Sequence, residues 1–204
     1  MLDAEGYAAK WIRHTERDEA GQFADRFERW VQHYDAQGIV AVSGGLIAMR
    51  RRSGGANWLR IEEGPDRSLG PTGDSIELGF ALRDFLESCQ TDAQWMDQRL
   101  RLSPDARLRQ QFEPGEEGWR LTETELRMAR GLAYTGGADP VVAQLIGQCD
   151  GQRPLGTLLS DLAASLDQDA SVLASACIGV VRRLVERGFL IPPTLPPRSP
   201  SPAE

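Results

Sequence analysis

Apolar residues in the first part of the chain recur at the spacing of an amphipathic helix. From Phe23 to Ala36 they fall every three or four residues, so that one side of the predicted helix is apolar. Gly38 follows directly, and a glycine in this position predicts the end of the helix. A shorter helical pattern precedes it, with Asp3 as a candidate N-cap. We therefore predict that the chain begins with two short helices.

The pattern changes after Gly38 to one that favours strands. Residues 39–52 and 57–63 are rich in β-branched and other apolar residues, and Ser-Gly-Gly-Ala at 53–56 is typical of a turn. Together they predict a β-hairpin. We interpret residues 1–66 as one domain, which contains the helix at 23–36 and this hairpin.

The rest of the chain predicts helices, then strands, then helices again. The predicted elements are helices at 76–87 and 91–100, strands at 106–113 and 119–130, helices at 140–148, 155–166 and 170–187, and a short strand at 189–191. In the second of the paired strands the apolar phase slips between Leu121 and Leu126, which a β-bulge would explain. The fold class predicted from these elements is α+β.

Two further domains and a tail follow from this order. Residues 67–105 are predicted to form a helical connector, and 106–191 a small winged-helix-like domain. The last segment, 192–204, holds six of the chain's 12 prolines and is predicted to be a disordered, proline-rich tail.

Composition excludes several classes of protein. The chain has 204 residues, a net charge of -7 and three cysteines without CxxC spacing, so neither a disulfide framework nor a zinc site is expected. It contains no apolar run near the roughly 20 residues that span a membrane, and no signal segment at the N-terminus. We therefore expect a cytoplasmic protein without a membrane partner, and the acidic balance makes nucleic acid the less favoured partner.

The sequence offers few candidate functional residues. The substrate-facing or partner-facing candidates are Arg50, Arg51, Arg52, Trp58 and Arg60 in the predicted hairpin. A run of arginines could contact an anionic partner, and it could equally be a solvated strand end that keeps the hairpin soluble. In the same way, Trp58 could be a core residue and Arg60 a surface charge. No catalytic residue, metal ligand or cofactor-binding residue is assigned.

The last predicted helix raises the alternative of nucleic-acid binding. It carries Arg182, Arg183 and Arg187, but they lie near its C-terminal end, whereas base edges are normally reached from the N-terminal part of such a helix. Basic residues at a helix C-terminus also suit the helix dipole. A packing or protein-contact role is therefore favoured.

Several stretches resemble a known family. The segments YAAKWIRHT, FERWVQHYDAQGI, VAVSGGLIAMRRR, NWLRIEE, FALRDFLE, IGQCDGQRPLGTLLSDLAASL and VRRLVERGFL resemble the C-terminal part of actinobacterial-type class I methyltransferases. These enzymes depend on S-adenosylmethionine and are similar to the release-factor and ribosomal-protein glutamine methyltransferases. The likeness covers about residues 2–191. It implies that residues 1–66 are the terminal helix-strand-strand unit of a Rossmann-like sheet.

The motifs that carry the family's chemistry are missing from this sequence. It has no glycine-rich methyl-donor loop after a first strand and no Asn-Pro-Pro-aromatic motif. We therefore expect a fragment: the non-catalytic C-terminal portion of a methyltransferase, which completes the sheet and contributes to substrate recognition. The resemblance implies an upstream methyltransferase domain as partner, S-adenosylmethionine as cofactor of the full-length family with none bound by this chain alone, and a protein substrate. The alternative is a stand-alone, non-enzymatic binding module that contacts protein or nucleic acid through the winged-helix-like domain.

Overall fold

The chain folds into helices and antiparallel strands, which confirms the α+β class. The computed structural model describes residues 2–15, 22–54, 56–64 and 68–195. Every strand pair among these residues is antiparallel. The chain divides into two compact units, residues 1–49 and 50–204.

The first unit contains two helices and a minimal strand pair. Its elements are β1 (Leu2–Asp3), α1 (Ala4–Thr15), α2 (Phe23–Gln37) and β2 (Ala41–Val42). Ala8 and Ile12 of α1 and Tyr34 of α2 are its buried apolar residues, and β1 pairs with β2. The rest of the α2 stripe, such as Phe27, is only half-buried.

Both predicted helix boundaries in this unit are confirmed. The carboxylate of Asp3 accepts a hydrogen bond from the Gly6 backbone N–H at 2.7 Å, so it caps α1. Gly38 has φ 66° and donates its N–H to carbonyls of the last turn of α2. This left-handed conformation is one that glycine adopts without steric cost, which is why the helix ends there.

The second unit carries the larger core. Its elements are β3 (Ser68–Leu69), α3 (Gly73–Ser88), α4 (Asp92–Met96), β4 (Arg99–Leu102), β5 (Ala106–Gly115), β6 (Gly118–Met128), β7 (Gly131–Leu132), β8 (Thr135–Gly137), α5 (Pro140–Gly147), β9 (Asp150–Pro154), α6 (Leu155–Ser165), α7 (Ala170–Glu186) and β10 (Leu190–Ile191). The apolar stripes predicted for α6 and α7 are buried in one cluster with Trp95. Burial of apolar surface is the main stabilising term for such a cluster.

The long hairpin β5–β6 confirms the predicted strands and their bulge. Gln111 pairs with Glu123, whereas the next residue, Phe112, pairs with Leu121. Thr122 is therefore the extra residue, and its hydroxyl donates to the Gln111 carbonyl at 3.2 Å. The bulge places the apolar side chains on both sides of it on one face of the hairpin.

A small sheet joins the C-terminal helices to an earlier strand. Its strand order is β10-β4-β9, so β4 lies between two strands that follow it by many residues. The predicted helix at 91–100 is therefore wrong in its second half, because residues 99–102 form β4. Backbone pairing with two neighbours outweighs the local helical pattern there.

The predicted hairpin of residues 39–52 and 57–63 is not formed. In the described part of these segments only Ala41–Val42 is a strand, and it pairs with β1. An isolated strand pair is marginally stable in water. Residues 50–64 belong to the second unit, whereas the predicted domain boundary lay at residue 66.

Some predictions fall on residues that the structure does not describe. These are Gly55 of the predicted turn and residues 196–204 of the predicted proline-rich tail. Leu195, just before that segment, accepts a hydrogen bond from Arg101 at 3.0 Å through its carbonyl. None of the helices in the described residues combines the length and the apolar character needed to cross a bilayer.

Candidate functional site

Residues 50–64, here called the strap, attach to α3 through ion pairs. The Arg50 guanidinium donates two hydrogen bonds to the Asp84 carboxylate, at 2.8 and 2.6 Å. Arg52 donates to Glu87 at 2.9 Å, and Arg83 on α3 donates to the same carboxylate at 3.1 Å. These hydrogen bonds lower the pKa of Asp84 and of Glu87 below their ordinary values.

Aromatic side chains support the same contact. The rings of Trp58 and Phe80 lie 6.1 Å apart, and the Arg83 guanidinium sits 5.3 Å from the centre of the Trp58 ring. The Arg50 guanidinium lies 5.1 Å from the centre of the Phe80 ring. Such cation–π geometry adds to the ion pairs. The strap is thus held by alternating charged and aromatic contacts with one helix.

The far end of the strap reaches α7 and the segment before β8. Arg60 pairs with Glu62 beside it and with Glu186 of α7 at 3.2 Å. The other oxygen of Glu62 accepts a hydrogen bond from the Tyr134 hydroxyl at 2.6 Å. Burial, and then the hydrogen bond to the Glu62 carboxylate, raise the pKa of Tyr134 to about 12.

Four of the five predicted site residues therefore contact the chain itself. Arg50, Arg52 and Arg60 form ion pairs, and Trp58 packs against an aromatic ring and a guanidinium. Arg51 is exposed. Their assignment as substrate-facing residues stays a prediction, but the contacts give them a structural role in fixing the strap.

The side chains between these anchors point away from the second unit. Leu59 and Ile61 are 84% and 85% exposed, although they alternate with Trp58, Arg60 and Glu62, which all make contacts. Alternation of contacting and exposed residues is the pattern of an extended strand. Here the usual polarity is reversed, because the apolar residues face outward.

A cleft of about 620 Å³ lies beside the end of the strap, within the second unit. Residues of β5 and β6 line one part of it. Other lining residues lie at the end of the strap, around the start of β8 and just after α7. Its lining residues are Glu63, Gly64, Leu69, Arg109, Glu125, Arg127, Met128, Ala133, Tyr134, Thr135 and Arg187. Its volume is typical of ligand-binding pockets.

Register explains why charged residues meet in this cleft. Arg109 pairs with Glu125 across the hairpin, and Glu125 pairs in turn with Gly137 of β8. Two residues further along β6, Arg127 pairs with Thr135 of β8. Residues two apart share one face of a sheet, so these side chains project from the same face. The opposite face of the hairpin carries its apolar side chains.

Residues 78–192, more than half of the chain, match the family model described as a domain of unknown function (DUF7782). The chain belongs to this family. No curated protein matches it significantly.

The DUF7782 region contains the body on which the strap lies. It includes Asp84 and Glu87 of α3, which bind the strap, and eight of the residues that line the cleft. The strap itself, and with it every site residue predicted from the sequence, precedes the matched region. The DUF7782 region therefore builds most of the cleft, whereas the strap lies outside the matched region.

In the part of the chain that the structure describes, we find neither a candidate metal site nor a candidate nucleophile. No group of three or more His, Cys, Asp or Glu side chains there could hold a metal ion. Cys89, Cys149 and Cys177 are all buried and free. Burial, and then the nearby Asp150 carboxylate, raise the pKa of Cys149 to about 11, so this thiol is not activated as a nucleophile.

The two histidines lie on the helices of the first unit. His14 Nδ1 is 2.8 Å from the Lys10 carbonyl, within α1. His33 lines a depression of about 420 Å³ together with Arg26, Arg29 and Trp30, all from α2. The described residues that line it all come from one helix, so we assign no site to it.

The charged cleft was missed by reasoning from the sequence. A signal was present, because Arg107, Arg109, Glu125 and Arg127 occupy alternate positions in two strands that were correctly predicted. The pattern does not show which face of the hairpin Tyr134 and the end of α7 would cover. That depends on packing between segments far apart in sequence.

Proposed function

We propose that the chain is the C-terminal, non-catalytic portion of an S-adenosylmethionine-dependent methyltransferase, completing its sheet and contributing to substrate recognition. One observation carries this proposal: a stretch with strand alternation leaves its apolar residues exposed. In the strap these are Leu59 and Ile61, at 84% and 85% exposure. In the first unit Ile47 and Met49 are similarly exposed, at 85% and 88%.

The physical argument rests on the unusual direction of these side chains. Burying an aliphatic side chain is worth roughly 1.5–3 kcal/mol, so several exposed ones in strand-forming segments favour association with another surface. Segments with unpaired backbone groups also favour pairing with a further strand. A Rossmann-like sheet in the upstream methyltransferase domain would supply both the apolar face and the strand partner.

The described residues do not fit the cofactor. A Rossmann-like fold binds its ligand outside the carboxyl ends of parallel strands, and the strand pairs described in this chain are all antiparallel. The methyl donor would therefore be bound by the upstream domain alone. We propose no reaction step through this chain.

The winged-helix-like assignment of the C-terminal part belongs to the same proposal. It is supported by the order helix α5, strand β9, helices α6 and α7, and strand β10, around a small antiparallel sheet. The middle strand of that sheet, β4, comes before the helices in sequence. Nucleic-acid contact by α7 is disfavoured because Arg182 pairs with Asp92 at 3.1 Å.

The first test is to read the genomic sequence upstream of the codon for Met1. A continuous frame that encodes a glycine-rich methyl-donor loop and an Asn-Pro-Pro-aromatic motif supports the proposal. A stop codon followed by a ribosome-binding site contradicts it and favours the alternative, a stand-alone binding module.

The second test addresses the role of the exposed side chains. In the longer protein, Leu59→Ser with Ile61→Ser should increase hydrogen exchange in the strap and weaken methyl transfer. Val172→Ser, which changes a residue that is 67% exposed on α7, is the matched control and should leave both unchanged. Equal exchange and activity in all three proteins would contradict the sheet-completing role.

A further inference from the structure

We propose that the cleft beside the end of the strap binds an extended peptide segment rich in carboxylates. Three arginines, Arg109, Arg127 and Arg187, line it. Among the described residues none of the three forms a salt bridge, whereas Arg50, Arg52 and others are paired. The cleft therefore presents guanidinium groups that are open to a carboxylate ligand. Arginine matches carboxylates through paired N–H donors, which makes such contacts both strong and directional.

One of these arginines is held in place before any ligand arrives. Arg187 donates to the Thr135 carbonyl at 3.3 Å, and its guanidinium lies 5.7 Å from the centre of the Tyr134 ring. Tyr134 is itself fixed by its hydrogen bond to Glu62. A side chain ordered in advance loses less conformational entropy on binding, so this arrangement favours recognition.

The shape of the cleft suits an extended backbone. Strand β8 is at the edge of its sheet, in the order β5-β6-β8. A Cβ added to Gly136 or Gly137 of this strand would meet nothing within 4 Å, so the face of the strand is uncovered at these two residues. Peptides commonly bind by adding a strand to such an edge, with side chains reaching pockets on either side.

The charge distribution favours a peptide over a nucleic acid. Glu63 and Glu125 line the same cleft, and Glu62 lies next to them in the chain. These carboxylates would repel a continuous row of phosphates, while a peptide can place carboxylates against the arginines and neutral or basic side chains against the glutamates.

This inference goes beyond the proposed function and does not need it, because the residues that form the cleft all lie within the second unit. If the methyltransferase proposal holds, the acidic segment belongs to the protein substrate. If the upstream frame rules out a methyltransferase, the peptide-binding site still stands or falls by the measurement below.

The test uses the full chain and a short fluorescein-labelled peptide of alternating glutamate and serine, with fluorescence anisotropy as readout. We expect saturable binding that weakens as salt is raised. A peptide with glutamine in place of glutamate should bind at least roughly tenfold more weakly, since the charge-assisted hydrogen bonds are lost. A single-stranded oligothymidine of equal length should also bind more weakly than the glutamate peptide.

Variants locate the binding. The double variant Arg109→Gln with Arg127→Gln should reduce affinity at least roughly tenfold. Arg120→Gln removes one positive charge from the same hairpin outside the cleft, where Arg120 pairs with Glu113, and should bind as the unchanged protein does. The circular dichroism spectrum of each variant checks that it is folded.

Three results would overturn the inference: no saturable binding of the glutamate peptide, equal affinity in the double variant and the Arg120→Gln control, or tighter binding of oligothymidine than of peptide. The last would assign the cleft to nucleic acid.

Discussion

The guanidinium of Arg50 forms two hydrogen bonds with the carboxylate of Asp84, at 2.8 and 2.6 Å, across 34 residues of sequence. The pair ties the start of the strap to α3. It also fixes which side of the strap faces the second unit, and hence which side chains stay exposed. The first prediction therefore concerns this pair.

A double-mutant cycle with Arg50→Gln and Asp84→Asn should give a small favourable coupling energy in urea unfolding. Both side chains are about a third exposed or more, so solvent screens the pair and limits its worth. The single hydrogen bond between Arg153 and Asp161 at 3.3 Å is more exposed and serves as the control, with a smaller coupling. A coupling for Arg50 and Asp84 no larger than the control would contradict the prediction.

Acid should weaken the attachment of the strap. The pKa values of Asp84 and Glu87 are lowered by Arg50 and Arg52, so these carboxylates are deprotonated more readily in the folded chain than in the unfolded one. Their contribution to stability is therefore complete above their ordinary pKa values of about 4, and is lost as the pH falls below them. The melting temperature should drop over this range.

The double variant Asp84→Asn with Glu87→Gln should show a shallower drop in melting temperature between about pH 5 and pH 3. Glu77→Gln changes an exposed carboxylate on the same helix and should keep the slope of the unchanged protein. A slope that is the same in all three proteins would show that the ion pairs do not contribute.

The Tyr134 hydroxyl should lose its proton at a higher pH than that of an ordinary tyrosine. Its pKa of about 12 means that the neutral hydroxyl is favoured in the folded chain. The resulting stability is fully present below the ordinary tyrosine pKa of about 10 and is lost as the pH rises toward the folded value. Ultraviolet titration by rapid pH jump should resolve this late step, and Tyr134→Phe should remove it. A late step of full amplitude in the variant would assign it to another tyrosine, such as Tyr34, whose pKa is also raised by burial.

Trp95 should be the tryptophan on which the second unit most depends. It is completely buried, and its indole N–H donates to the Cys89 carbonyl at 3.1 Å. Trp95→Phe should lower the free energy of unfolding by about 2–3 kcal/mol, through lost packing and an unpaired carbonyl. The same substitution at Trp119, which is 75% exposed on the hairpin, should change it by less than about 0.5 kcal/mol. Urea unfolding measures both, and similar losses would refute the assignment of the core.

Gly188 should resist substitution. Its φ is 78°, a left-handed conformation that strains other residues, and it ends α7. Gly188→Ala should destabilise the chain by about 1–2 kcal/mol. Gly179→Ala, in the exposed middle of α7, should be neutral or stabilise by up to about 1 kcal/mol, because alanine favours a helix. Thermal unfolding that ranks the two variants in the opposite order would contradict this account.

Most of the local structure followed from the sequence. The apolar stripes gave α2, α6 and α7 to within a few residues, and Gly38 marked a helix end by a property of the residue itself. The slip of apolar phase in the long hairpin correctly indicated the bulge at Thr122. These features depend on neighbours along the chain, and so the chain alone specifies them.

The failures share one physical cause. Residues 57–63 alternate as a strand does, but alternation does not say which side is covered. Here Trp58, Arg60 and Glu62 contact α3, α7 and Tyr134, respectively, while Leu59 and Ile61 face outward. Residues 99–102 continue a helical pattern yet form β4, because two distant strands supply its hydrogen-bond partners.

The sequence by itself thus determined the helices, their ends and the long hairpin, all set by local periodicity and backbone preference. Only the tertiary structure decided that Arg50, Arg52 and Arg60 of the strap are paired and that three other arginines line a cleft. Pairing of charges depends on distance in space, and Arg50 and Asp84 are 34 residues apart in sequence.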